Sequence, residues 1–168
     1  MINSRKEKQI MVMSPDRIKK VFERHVDSMK TRSLKWTFPH GSKWGDRRIN
    51  KFLKYFFIPV SINDVLGFLD TTVFRTGKEG YLFTYEGIFI KEVANKLYYL
   101  KYEDIEKAEV EEITDEYYNV TSKLWVHFKD ETKKQVFDYY INRRSFADFI
   151  NDMVIPGRVP ESVFKENE

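Results

Sequence analysis

The sequence contains no cysteine, which rules out a disulfide framework and cysteine-based zinc sites. At 168 residues the chain is long enough to bury a core without either. Long apolar runs are missing as well. Ile10-Met11-Val12-Met13, which follows the basic Arg5, Lys6 and Lys8, is too short for a signal-peptide core, and no stretch approaches the roughly 20 apolar residues of a bilayer-spanning helix. Both absences suit a cytoplasmic chain without a transmembrane segment. Catalytic signatures are equally scarce. Gly41-Ser42-Lys43-Trp44-Gly45 lacks the spacing of a phosphate loop and the hydroxyl residue after its lysine. No serine sits in a nucleophile elbow. His25, His40 and His127 fall in an expected helix, loop and strand, with no spacing that suggests a shared metal site. The expectation is a protein with no cofactor, no metal ligands and no enzymatic activity.

Glycine is sparse too, at 7 residues, and its placement gives the first view of structure. Glu86-Gly87 separates two runs rich in aromatic and β-branched residues, 81–85 and 88–93, and a glycine with positive φ there predicts a tight hairpin. Ala94-Asn95-Lys96, with an Asn that tolerates the left-handed conformation, leads into a third strand over 97–102. Gly77-Lys78-Glu79-Gly80 breaks the chain after a strand-like stretch from Val65 to Phe74. Further strands are expected over 106–113, 122–128 and 134–138, with an exposed loop at 114–121, and the acidic residues from Glu103 to Glu116 read as a solvated face. Behind Asn142 as N-cap, Phe146, Phe149, Ile150 and Met153 recur at helical spacing until Pro156-Gly157. The aromatic content of 16% suits such a β-rich core.

The N-terminal third differs in character. Residues 1–54 carry a net charge of +10 and residues 55–168 one of −7, within a total of +3. This asymmetry points to an anionic partner, or to packing on the acidic part of the same chain or of a second copy. After a lead over residues 1–12, Ser14-Pro15-Asp16 supplies an N-cap, a first-turn proline and a first-turn acid. Ile18, Val21, Phe22, Val26 and Met29 then form an apolar stripe that is expected to dock on the sheet or on the next helix. A second helix is expected from Arg47 to Phe57, with Asp46 as N-cap and Ile49, Phe52, Leu53 and Phe56 on its apolar side. Between the two, residues 31–48 read as a loop. Here Arg32, Lys35, Trp36, Lys43, Trp44, Arg47 and Arg48 interleave cations with large rings. Such a mixture stacks on bases and neutralises phosphates; it also arises where tryptophans pin a loop to its domain and leave the charges in water. Buried rings would indicate the plug, and exposed rings beside Arg47 and Arg48 a contact site.

The stretches 68–74, 77–84, 86–89 and 100–105 together resemble bacterial pleckstrin-homology-like (PH-like) domains, with the similarity covering roughly Val65 to Val154. The resemblance implies an α+β fold: a strongly bent antiparallel sheet or partly open β-barrel with a C-terminal helix, preceded here by two N-terminal helices. It divides the chain into a basic helical segment over 1–60, a PH-like domain over 61–156 and a polar tail over 157–168. It further implies a non-catalytic interaction module. The expected partner is a protein, or a second copy of the chain; the alternative is a polyanion, nucleic acid or an anionic membrane surface, bound by the basic aromatic segment 32–48. The loop after the first strand offers only Arg75 and Lys78, fewer cations than phosphoinositide-binding members of that superfamily carry there.

Overall fold

Helices α1 (Pro15–Met29), α2 (Lys43–Tyr55), α3 (Arg143–Val154) and α4 (Ser162–Lys165) surround eight strands. In chain order the strands are β1 (Trp36–Thr37), β2 (Val65–Asp70), β3 (Gly80–Thr84), β4 (Gly87–Lys91), β5 (Tyr98–Lys101), β6 (Ile105–Thr114), β7 (Val120–Phe128) and β8 (Lys133–Val136). The structure is a computed structural model that describes residues 13–31, 33–136 and 140–165. Strands β1 to β5 form one antiparallel sheet in sequence order and β6 to β8 a second. The expected bent sheet is therefore realised as two antiparallel sheets and not as a closed barrel. The chain passes from one to the other through a short helical turn at Tyr102–Asp104, whose Tyr102 is buried.

The five-stranded sheet is covered on both sides, which explains why every residue of β2 and β3 is buried. Because side chains alternate along a strand, neighbouring residues serve opposite faces. Leu69, Tyr81, Phe83, Ile88 and Ile90 join the main core with Phe22 of α1, Leu124 and Val126 of β7, and Phe146 and Phe149 of α3. Val65, Phe68 and Leu82 turn the other way and meet Ile49, Phe52 and Leu53 of α2. Helix α2 thus lies on the outer face of this sheet, with the three-stranded sheet on the inner side.

Helix α1 starts as expected, with Ser14 capping and Ile18, Val21, Phe22 and Met29 of its stripe buried, Val26 only partly. His25 Nε2 lies 2.7 Å from Asp152 Oδ2 of α3, and Lys20 Nζ donates to the Phe164 carbonyl of α4. Part of the expected polar tail is therefore a short helix held against α1. Asn142 caps α3 as expected, through a bond from Ser145 N.

Several expectations need correction. The first strand stops at Asp70, not Phe74, because the Asp70 carboxylate bonds the following loop and takes the chain out of the sheet. Gly87 does not take a positive φ. It is required for space, since a Cβ there would lie 2.3 Å from the Leu100 carbonyl oxygen across the sheet. In the next turn Ala94, not Asn95, takes the left-handed conformation, at φ 62. The segment 31–48 is not a loop throughout: Trp36 and Thr37 pair with Leu69 and Phe68, and α2 begins at Lys43. Ser42 is its cap, accepting from Gly45 N at 3.0 Å, while Asp46 sits inside the first turn and accepts from His40 N. The lead over 1–12, Arg32, and Phe137 and Asp138 of the last expected strand lie outside the described residues.

Candidate functional site

The two tryptophans of the basic segment have opposite fates. Trp36 is a plug. Its indole N–H donates to the Val26 carbonyl at 2.7 Å, and its ring meets Phe22 and Phe83 edge-on at 5.4 and 5.2 Å. Trp44 projects into solvent, 70% exposed, with the Arg47 guanidinium 5.0 Å from its ring centre. Of the other candidate residues, Lys35, Lys43 and Arg47 are exposed, Arg48 is half-buried, and Arg32 lies outside the described residues.

The early start of α2 is what gathers these side chains. Because Gly45, Ile49, Phe52 and Leu53 face the sheet, the helical period sends Lys43, Trp44, Arg47, Arg48, Lys51, Lys54 and Tyr55 away from it. Among the described residues, none of the five cations Lys43, Arg47, Arg48, Lys51 and Lys54 forms an ion pair. They repel one another and raise the local positive potential, an arrangement that an anion relieves.

The loop between β2 and β3 completes this surface. Gly77, at φ +70, lies so close to α2 that a Cβ would sit 3.2 Å from the Arg48 carbonyl oxygen, and the Lys78 ammonium stands 5.5 Å from the Tyr55 ring centre. The loop is latched from below. The buried Asp70 carboxylate accepts from Thr72 N at 2.9 Å, Thr72 Oγ1 at 2.6 Å and Gly77 N at 2.9 Å, and Thr72 Oγ1 in turn accepts from Thr76 N at 2.6 Å. These bonds hold up a turn whose Val73 and Phe74 are 87% and 88% exposed, with Arg75 beside them.

Helix α2 ends in a way that also exposes an aromatic ring. Ile58 N donates to the Leu53 carbonyl at 2.9 Å and Phe57 N to the Lys54 carbonyl at 3.3 Å, the paired bonds of a Schellman motif. The residue at its left-handed position is normally glycine. Here it is Phe57, at φ 53 and 91% exposed. A bulky side chain in that conformation costs about 1 kcal/mol and gains no burial in return. Sequence reading missed Lys51, Lys54, Tyr55, Phe57 and Phe74 as members of this surface, and took Arg75 and Lys78 only as a sparse loop pair that counted against a lipid ligand. The available signals were the apolar run 56–58, longer than the helix stripe needs, and a Val-Phe pair beyond the last residue of β2.

On the other sheet the β6–β7 hairpin carries the opposite sign. Its Tyr117, Tyr118 and Val120 are exposed, but most of its acids are engaged within the fold. Glu109 meets Lys107 Nζ and His127 Nε2 at 2.9 and 2.7 Å; Glu111 accepts from the Trp125 indole; Glu112 pairs with Arg144. Lys107, and after it His127, hold the Glu109 carboxyl below the usual glutamate range. Asp115 accepts from Asn119 Nδ2, Asn119 N and Tyr117 N, which lowers its pKa. An open cleft of about 370 Å³ lies between this hairpin and the start of α3, lined by Glu112, Val120, Thr121, Asn142 and Arg144 among others. Among the described residues no three His, Asp or Glu side chains group as metal ligands, and no helix is long and apolar enough to cross a membrane. Neither family models, nor curated proteins, nor solved structures match the chain.

Proposed function

We propose that this protein is a non-catalytic interaction module of PH-like architecture that docks through α2 and the β2–β3 loop onto a polyanion. The architecture is supported by strand order: four strands β2 to β5 in one sheet, three strands β6 to β8 in another, and then the packed helix α3. The site reading is carried by a single observation, the five cations of α2 that lack an ion pair among the described residues and lie beside the exposed Trp44 ring. Cations released from internal partners are free to displace counterions from an anionic surface, so binding should weaken steeply with salt. Retention of the full chain on immobilised heparin tests this. Elution should move to lower salt in the Arg47→Glu/Lys51→Glu variant and stay unchanged when Lys133 and Lys134, equal charges on β8, are reversed. Equal shifts in both variants would leave only net charge and sink the reading.

A protein partner is the second reading, favoured by Tyr117, Tyr118 and Val120 exposed at the hairpin. It predicts that Tyr118→Ser abolishes self-association or capture of a basic partner while heparin retention is untouched.

A further inference from the structure

We propose that the polyanion on which α2 docks is the acidic β6–β7 hairpin of a second copy of this chain, so that copies associate head to tail. This rests on the reading of α2 as the contact surface, and it names the partner of that surface.

The fold leaves charge of both signs uncompensated. Hydrogen bonds fix most of the hairpin carboxylates in place, but a bond from a neutral donor does not cancel a charge. Glu109 and Glu112 meet the cations of Lys107 and Arg144. Among the described residues Glu111 is held by the neutral Trp125 indole and Asp115 by neutral amides of Tyr117 and Asn119, while Glu116 is exposed and has no ion pair. Negative charge therefore remains on the distal part of the hairpin, beside the exposed rings of Tyr117 and Tyr118. On α2, Trp44, Arg47, Arg48, Lys51 and Tyr55 follow one another at three- and four-residue steps and so share one stripe of the helix. That stripe is about 17 Å long at the helical rise, and the extended chain from Glu111 to Glu116 reaches about as far.

The two patches cannot neutralise each other within one chain. Helix α2 packs through Ile49 and Phe52 on the outer face of the five-stranded sheet, whereas Leu124 and Val126 of β7 belong to the core on its inner face. The sheet stands between them, and no ion pair among the described residues joins one to the other. Packing on the acidic part of the same chain is thus closed to α2, and the acidic part of another copy is open to it.

The signs also select the mode of pairing. Setting α2 against α2, or hairpin against hairpin, places like charges face to face and costs affinity. Setting α2 against the hairpin places opposite charges together. That contact is heterologous, and with its two halves on opposite sides of a sheet each copy holds one neighbour at either end. Tryptophan, tyrosine and arginine are the side chains enriched where proteins meet. A phosphate backbone or a sulfated polysaccharide would engage α2 and leave the exposed hairpin rings without a role, whereas a second copy uses both patches in one contact.

The test uses the full chain in sedimentation velocity over a range of concentrations at low salt, with a heparin column run in parallel. The sedimentation coefficient is expected to climb with concentration past that of a dimer. It should return to the monomer value at about 1 M salt, where the screening length is roughly 3 Å. The variants are a charge swap: Arg47→Glu with Lys51→Glu on α2, and Glu111→Lys with Glu116→Lys on the hairpin. Each variant alone presents like charges at the contact, and its association constant should fall about tenfold or more. Mixed in equal amounts the two present opposite charges again, and association should return. Glu116→Lys alone removes no hydrogen bond or ion pair among the described residues, so its smaller loss of association guards against misfolding of the double variant. A wild-type monomer at every concentration that heparin still retains overturns the second copy and leaves the polyanion reading standing, and capture of single-stranded DNA by that monomer would make nucleic acid the partner. Association of the wild type that the mixture of variants does not restore overturns the contact between α2 and the hairpin. A monomer that heparin does not retain removes the polyanion reading as well.

Discussion

The outward side of α2 and the β6–β7 hairpin are both charged, aromatic and exposed, yet they are built differently. On the hairpin, Glu109, Glu111, Glu112 and Asp115 each accept hydrogen bonds from named neighbours, and Lys133 lies 4.3 Å from the Trp125 ring centre. On α2 the five cations have no ion-pair partners among the described residues, and the rings beside them have little cover. Charge in a sequence therefore says little about function until its partners are known. A satisfied charged surface is a solved folding problem, whereas an unsatisfied one carries repulsion that an external anion can remove.

Reversing charge on both regions should separate them most sharply. Arg47→Glu with Lys51→Glu should move elution from immobilised heparin to markedly lower salt, since each reversal removes one favourable charge and adds an unfavourable one. The opposite reversals Glu106→Lys and Glu116→Lys on the β6–β7 hairpin should leave elution unchanged. Elution salt reads both, and a rise for the hairpin pair as large as the fall for the α2 pair would erase the distinction.

A subtler probe exploits the strain at the end of α2. Phe57→Gly should stabilise the fold by about 1 kcal/mol, because glycine suits the left-handed position and the ring buries almost nothing. The same change should move heparin elution to slightly lower salt. Urea denaturation and heparin elution together check this opposition of signs; a substitution that loses both stability and binding would mean that the ring is structural.

The smallest effect belongs to the hairpin. The bonds from Asn119 and Tyr117 hold the Asp115 carboxyl below the ordinary aspartate value of 3.8. A lowered folded-state pKa means that this support is present above 3.8 and is lost as pH falls through the lower folded value. Tyr117 and Tyr118 resonances should broaden or shift in that acidic window, and Asp115→Asn should show the altered turn already at neutral pH.

Much of this fold is readable in the sequence. The Ser14 and Asn142 caps and the stripes of α1 and α3 have local causes that the residues spell out, whereas the hairpin at Gly87 and the turn at Ala94 were placed correctly for reasons the structure replaces. What escaped has tertiary causes. Gly41, Ser42 and Gly45 look like loop residues, but Ser42 caps α2, and Gly45 lies so near β1 that a Cβ would be 2.9 Å from Thr37 Cγ2. A glycine that reads as a helix breaker is there a packing requirement. Trp36 and Trp44 sit in similar sequence surroundings; only the pairing of β1 with β2, a long-range event, makes one a plug and leaves the other in water. Arg47 and Arg48 were identifiable as candidates, while Lys78 joins them only because the β2–β3 loop folds back onto α2, and Phe57 is exposed by the way the helix ends.

The contact surface itself is tested most directly by amide resonances of the full chain in the presence of a heparin oligosaccharide carrying a paramagnetic label. Broadening concentrated at residues 43–57 and 72–78, with 111–122 spared, is the expected result. Broadening centred on the hairpin, or none at α2 while the protein binds, would contradict it.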